Sequence, residues 1–292
     1  MLTRWRTRDV VLAVLSVLLA VVLLGHRLIP DVGGFGTALD SFLPWLGLVV
    51  VPLLLLAAVL RTKLGALAVL VPVLAWAVLF VPTLVSGGDG GRAGLRVVTQ
   101  NLGGSMSATS ALAKSGADLI AVQERTGGTP ALDREHPYTA IVGTVGLWSR
   151  YPVADVRRLD LAQGWPRALR ATVSTPDGPV SVYVVHLASI RIGESDGRDR
   201  ALSELAALVD ADPASRALVL GDFNTASTDR RFDSLTTTLT EARTGFGFTW
   251  PAGFPLTRPD HVLSRGFTSA GDSVLPSTGS DHRAVQVDLA SG

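Results

Sequence analysis

The stretch Ala217-Leu-Val-Leu-Gly-Asp-Phe-Asn-Thr225 places a carboxylate and an amide just past a short apolar run. Residues two apart in extended backbone point the same way, so Asp222 and Asn224 converge on one spot. A carboxylate can orient or deprotonate a water, and an amide can donate to an oxygen that gains charge. Together they suit hydrolysis of a phosphate ester. Gly, Asp and Asn are also ordinary turn residues, so this stretch alone leaves a plain strand-to-loop turn open. Other groups of matching chemistry are Asn101, Glu124, His186, the Asp260-His261 pair and Ser280-Asp281-His282. A histidine with a buried carboxylate partner is held in one tautomer and favoured as imidazolium, and for His282 the candidate partner is Asp260. Cysteine is absent, which excludes disulfides, a thiolate nucleophile and a thiolate metal site.

Strand ends must position these groups. Leu95–Asn101 reads as a strand, Gly103-Gly104 turns the chain, Ser105–Ser115 is helical and Gly116 closes it. Asp118–Glu124 is a second strand, and the strand–helix–strand length predicts a right-handed parallel crossover. Asn101 and Glu124 then finish on one sheet edge, where ligands of α/β sheets commonly bind. Glu124 is a candidate ligand for a hard cation, with Asn101 a neutral oxygen ligand or phosphate donor beside it. Residues 138–142, 144–149, 153–159 and 168–174 read as an antiparallel meander. Val180–His186 is an apolar strand that delivers His186 at its end, a place where a histidine serves equally well in packing. Residues 192–200 read as a loop at the site mouth, and 200–209 as an amphipathic helix leading into the Asp222 strand. Residues 258–263 and 284–289 are the closing strands. Phe246, Phe248 and Trp250 lie in a loop that either rims the site or packs.

The first third of the chain has a different character. The chain has 292 residues and is 47% apolar, and its mean hydropathy is +0.36. Three Arg (Arg4, Arg6, Arg8) precede an apolar run at about 10–29, and two uncharged runs follow at 42–60 and 64–85. About 20 apolar residues cross a hydrocarbon core of roughly 30 Å as helix. No small-x-small site follows the first run, so it reads as a retained span rather than a cleaved leader. Pro44, Pro52, Pro72 and Pro82 are expected to kink the second and third spans or mark their ends. Trp5 and Trp45 sit where an interfacial aromatic belt would put them. Basic residues before the first span and at Arg61 and Lys63 predict a cytoplasmic N-terminus and place everything after Val85 outside. Residues 86–94 read as a Gly-rich linker. Seven of the 26 Lys+Arg and four of the 25 Asp+Glu precede residue 94, leaving 19 basic and 21 acidic residues, a balance of −2. Nucleic-acid binders usually carry a basic surplus.

The ordered set Asn101, Glu124, His186, Asp222-Phe-Asn224, Asp260 and Ser280-Asp-His282 resembles the endonuclease/exonuclease/phosphatase superfamily over about residues 95–290. The resemblance implies an α/β fold, a four-layer α/β/β/α sandwich of the deoxyribonuclease I type, here preceded by three transmembrane helices. It also implies a Mg²⁺ site, with Mn²⁺ as a substitute. Carried over residue by residue, it makes Glu124 the main metal ligand, with Asn101 and Asp281 completing the metal and phosphate shell. Asp222 resembles the residue that orients the attacking water, and Asn224 a donor to the phosphoryl oxygens. His282, paired with Asp260, resembles the catalytic histidine, and His186 a second histidine that donates to the phosphate or leaving group.

The sequence therefore predicts three parts: a membrane anchor at 1–85, a linker at 86–94 and a catalytic domain at 95–290. The expected activity is that of a multi-pass, Mg²⁺-dependent phosphoesterase of the cell membrane, with its catalytic domain outside the cytoplasm. Its partners are the lipid bilayer and a phosphoester, first of all a phospholipid head group or another envelope phosphodiester. An extracytoplasmic nuclease is the alternative, and a non-catalytic binding module fits an intact Glu124/Asp222/His282 set poorly.

Overall fold

The computed structural model describes residues 6–85, 94–189, 196–242 and 245–291. The stretch expected as a linker lies outside these residues except for Gly94, as do Arg4, Trp5 and residues 192–195 of the expected mouth loop. The chain divides into two compact units, Met1–Val85 and Ser86–Gly292.

In the first unit, three helical segments are long and apolar enough to span a membrane: Thr7–Leu28, Val32–Val59 and Lys63–Val85. They contain α1 (Thr7–Gly25), α2 (Phe35–Phe42), α3 (Val50–Val59) and α4 (Lys63–Val85). At 1.5 Å per residue, α4 is about 35 Å long, enough for the hydrocarbon core. Leu15, Leu18, Val21, Leu55, Leu67 and Leu74 point outward. Leu12, Leu53, Ala57 and Val69 pack inside. This inversion of the soluble pattern is consistent with three membrane spans. The second segment starts at Val32 rather than Phe42, because the residues just before the uncharged run are helical as well. Their polar groups find partners within the unit: Asp40 Oδ1 is 2.6 Å from His26 Nδ1, and Asp31 accepts from the Thr37 hydroxyl at 2.7 Å. Intramembrane polar groups face the bundle interior because hydrocarbon gives them no partner. Asp9 likewise takes the Thr62 hydroxyl. Pro44 falls in a 3-10 stretch, Leu43–Val49, between α2 and α3, whereas α4 runs through Pro72 and Pro82 without ending.

The second unit is a four-layer α/β/β/α sandwich. Its strands are β1 (Leu95–Asn101), β2 (Leu119–Gln123), β3 (Tyr138–Val142), β4 (Val145–Ser149), β5 (Val153–Arg158) and β6 (Ala168–Thr175). They continue with β7 (Gly178–His186), β8 (Ala217–Asp222), β9 (Thr240–Glu241), β10 (Asp260–Arg265), β11 (Phe267–Val274) and β12 (Val285–Ser291). The helices are α5 (Ala108–Ala113), α6 (Pro130–Glu135), α7 (Asp196–Asp210) and α8 (Asp233–Thr236). One six-stranded sheet runs β11-β12-β1-β2-β4-β3 and the other β5-β6-β7-β8-β10-β9. Each has a parallel pair at its centre, β1 with β2 and β7 with β8. The other pairings are antiparallel.

The central strands read as unbroken apolar runs because both of their faces are covered. In β8, Leu218 and Leu220 enter the core between the sheets. Val219 turns the other way, onto Leu202, Leu205 and Val209 of α7. That helix begins at Asp196, so residues 196–199, read as loop, form its first turn, where Asp196 and Asp199 suit the positive end of the helix dipole. Strand β11 and the short α6 and α8 have no strong pattern in the sequence.

Two parallel pairs aligned in this way bring four strand C-termini to one edge, and the antiparallel β10 and β12 begin there. Gly221, one residue before the β8 terminus, has φ 151°, and a Cβ on it would meet Val185 O of the neighbouring strand. Gly221→Ala is therefore expected to push β8 off β7 and destabilise the unit by roughly 3 kcal/mol, the upper range for overpacking. Thermal unfolding of the full chain in detergent reads this as a lowered Tm with turnover lost in parallel, and an unchanged Tm would contradict it.

Candidate active site

The edge where these termini meet carries Asn101, Glu124, His186, Asp222, Asn224, Asp260 and His282. On the second sheet, His186 pairs with Asp222 in the β7–β8 register, and Asp222 pairs with Asp260 in the β8–β10 register. Each lies two residues from a side chain of the inter-sheet core (Val184, Leu220, Val262), so all three side chains share that face. Asp222 and Asp260 are 1% and 0% exposed. From the first sheet, Asn101 Nδ2 donates to Asp222 Oδ2 at 2.9 Å and to Glu124 Oε1 at 3.1 Å. Its Oδ1 accepts from Gly103 N at 2.9 Å. The Asn101 amide thus ties the two sheets together between two carboxylates.

The pair expected from Ser280-Asp281-His282 also forms. His282 Nδ1 donates to Asp260 Oδ2 at 2.8 Å, and that oxygen also takes the Thr249 hydroxyl at 2.6 Å. His282 Nε2 then lies 3.9 Å from Asp222 Oδ2. The loop is fixed by Ser280 Oγ, which donates to Asn101 O at 2.6 Å, and by Gln100 Nε2, which donates to His282 O at 2.9 Å. His186 Nε2 sits 3.5 Å from Glu124 Oε1 and 3.8 Å from Asp222 Oδ2. Asn224 has φ 48°. Its N–H donates to Asp222 Oδ1 at 2.8 Å, and its Nδ2 donates to Leu187 O at 2.9 Å. An amide nitrogen carries two hydrogens, so one remains for another acceptor.

Burial and charge set the protonation states. Burial acts to lower the His282 pKa, but the Asp260 carboxylate outweighs it and raises the group from 6.5 to about 9. His186 is pushed down to about 3 by burial, with the Arg167 and His282 charges adding to the effect. At neutral pH the site holds one imidazolium and one neutral imidazole. Burial and the Asp260 charge push Asp222 up to about 7, against the opposing pull of His282 and the Asn101 amide. Asp222 is thus tuned as a carboxylate able to accept a proton near neutrality.

Two groupings offer cation ligands. Asp222, Asp260 and His282 have potential ligand atoms within 4.8 Å of one another, and Asp260 Oδ1 is buried with no hydrogen-bond partner among the described residues. Of the two His282 nitrogens, Nδ1 is committed as a donor to Asp260 Oδ2. The Glu124 side chain is 43% exposed, and its backbone is held at φ 51°, uncommon outside glycine and typical of functional positions. Asp281 is exposed and lies over Gly103, where a Cβ would strike its Oδ1. Exposed carboxylate oxygens around an amide are the donor set of a hard divalent cation.

Arg167 was not apparent in the sequence. Its carbonyl accepts from His186 N at 2.9 Å, continuing the β6–β7 ladder. It therefore stands next to His186 in the row His186, Asp222, Asp260, with its guanidinium stacked 3.7 Å over the Trp165 ring. Only the hairpin register reveals it. Thr249 was hidden among aromatics: Phe246 and Phe248 stack on each other at 5.3 Å, while Trp250 stays 40% exposed. Ala252 N donates to Asp281 O at 2.7 Å, so this loop also buttresses Asp281.

The His282–Asp260 pair has a definite linkage sign. A raised histidine pKa contributes stability that is complete below 6.5 and fades as pH climbs through about 9. In the metal-free protein, Asp260→Asn should return the His282 titration, followed by proton NMR, toward 6.5. Retention of the raised value would show that Asp260 is not its cause.

Residues 98–282 match the sequence model of the Endonuclease/Exonuclease/phosphatase family. No curated protein matches the chain by sequence. Among solved structures, it is similar to an endonuclease/exonuclease/phosphatase from Bacteroides vulgatus, with a TM-score of 0.58, 16% identity and coverage of 68% of this chain and 99% of the other. It is also similar to sphingomyelinase C from Streptomyces griseocarneus, with a TM-score of 0.53, 18% identity and coverage of 66% and 98%. A third is a Staphylococcus aureus beta toxin variant with bound magnesium ions, with a TM-score of 0.55, 14% identity and coverage of 66% and 99%. These likenesses establish the fold, and the sequence match establishes the family. The chain belongs to the Endonuclease/Exonuclease/phosphatase family and is a metal-dependent phosphoric ester hydrolase.

Proposed function

We propose that this protein is a membrane-anchored, Mg²⁺-dependent phosphodiesterase that acts on a lipid head group outside the cytoplasm. The observation that carries this reading is the union, in one chain, of three apolar spans with a hydrolytic site on a unit whose charge balance is −2. In this reading residues 1–85 are the anchor, 86–94 the linker and 95–290 the catalytic domain. The basic residues Arg4, Arg6, Arg8, Arg61 and Lys63 favour a cytoplasmic N-terminus. The magnesium-bound beta toxin and the sphingomyelinase of the same fold support the choice of metal and substrate class.

Glu124, with Asp281, holds the cation, and Asn101 orients Glu124 and Asp222 through its amide. The cation supplies Lewis-acid polarisation of a phosphoryl oxygen when bound. Asp222 takes a proton from the attacking water as the new oxygen–phosphorus bond forms. The leaving oxygen departs with a proton from His282, the one histidine of the site already charged at neutral pH. Asp222 lies 3.9 Å from His282 Nε2 and can return the proton. His186, neutral, donates a hydrogen bond to the phosphoryl group, and the free hydrogen of Asn224 Nδ2 does the same. Arg167 supplies fixed positive charge beside His186.

Spheroplasts carrying the full chain, given Mg²⁺, should release head groups from phosphodiester lipid in added vesicles while degrading plasmid DNA weakly. Activity only after lysis would sink the orientation. Rapid plasmid degradation without lipid turnover, falling steeply between 50 and 200 mM salt as counterion release requires, would make it a nuclease instead.

A further inference from the structure

The Asp222–Asn224 turn has a second side, facing away from the inter-sheet core, and a buried charged cluster lies there that the reaction above does not use. His261 is fully buried and pairs with Gly221 in the β8–β10 ladder. Its ring lies between Phe223, with centroids 5.3 Å apart at an edge-to-face angle of 90°, and Phe232 at 4.5 Å. Its Nε2 is 2.7 Å from Thr225 O, and its Nδ1 is 2.7 Å from Glu241 Oε1. A carbonyl only accepts, so Nε2 donates to Thr225 O, while Nδ1 lies at hydrogen-bond distance from the Glu241 carboxyl group. Glu241 Oε1 is held in turn by Ser227 Oγ at 3.1 Å and by Arg258 Nε at 3.2 Å.

The turn so gripped is strained. Asn224 sits at φ 48°, a left-handed conformation that a non-glycine residue keeps only when its surroundings over-determine it. Toward the site, Asp222 and Leu187 fix Asn224 by two hydrogen bonds. On the opposite side, the next carbonyl in the chain, Thr225 O, is fixed by His261, and the Phe223 ring between Asp222 and Asn224 rests on the same imidazole. We propose that His261, anchored by Glu241 and Arg258, is the positioning residue that locks Asp222 and Asn224 into reactive geometry from behind. It touches neither substrate nor cation. The inference rests on the reading of Asp222 and Asn224 as catalytic.

The test follows Mg²⁺-dependent hydrolysis of bis(para-nitrophenyl) phosphate by the full chain in detergent. His261→Phe keeps the ring packing and removes both polar contacts. It should lower kcat on the order of tenfold to a hundredfold, the cost of a small misplacement, with KM near wild type. His261→Gln, which keeps one donor, should recover part of that loss. In a double-mutant cycle with Asn224→Ala the losses should be non-additive, because both changes release the same turn. If His261→Phe lowers only Tm, or the two losses multiply, His261 is a packed core histidine and the inference fails. Should His261→Phe fail to fold, His261→Gln and Glu241→Gln carry the same cycle with the same two outcomes. If Asn224→Ala alone turns over at the wild-type rate, the catalytic reading of the turn is wrong, and the inference falls with it for that separate reason.

Discussion

Two carboxylates, Asp222 and Asp260, stand opposite each other on adjacent strands, almost fully shielded from water. Like charges in such a place disfavour ionisation of both, and the chain compensates around them rather than avoiding the cost. Asp260 is matched by the His282 imidazolium and the Thr249 hydroxyl. Asp222 takes the Asn101 amide and the Asn224 N–H, which together provide less than a full counter-charge. The asymmetry pushes the Asp222 pKa up to about 7, whereas Asp260 is engaged directly by His282. The difference follows from the surroundings, since the side chains are identical.

The rest of the catalytic unit can be read as the apparatus that makes this arrangement possible. Parallel pairing of β1 with β2 and of β7 with β8 delivers four strand ends to one edge. The Asn101 amide then bridges the sheets between Glu124 and Asp222. Gly221 permits β8 to approach β7 closely enough for His186 and Asp222 to be neighbours. The edge divides into a buried half, with His186, Asp222, Asp260 and His282, and a more open half, with Glu124 and Asp281.

Much of this was legible in the sequence because the signals are local. Asp222 and Asn224 advertise themselves by spacing, Glu124 and His186 by ending apolar strands, and Ser280-Asp281-His282 by preceding one. The four-layer fold came with the family pattern. What stayed hidden depends on pairing between distant segments. Arg167 joins the site only through the β6–β7 register, and Thr249 only through the loop that wraps Asp260. His261 was visible beside Asp260, but strand alternation sends its side chain to the opposite face of the sheet, away from the site. In the first unit, Asp31, Thr37 and Asp40 masked the start of the second span because their polarity resembles a loop. Their partners, His26 among them, are tertiary contacts that no window of sequence contains.

The central claim is that the cation belongs to the open half of the site, at Glu124, and not to the buried Asp222, Asp260 and His282. Calorimetric titration of Mg²⁺ into the full chain, its Glu124→Ala variant and its Asp260→Asn variant separates the two most directly. The account expects Glu124→Ala to weaken Mg²⁺ binding by about a hundredfold or more, since even outer ligand partners are worth ten- to a hundredfold. Asp260→Asn should bind Mg²⁺ nearly as tightly as wild type. Unchanged affinity in Glu124→Ala together with lost affinity in Asp260→Asn would contradict it.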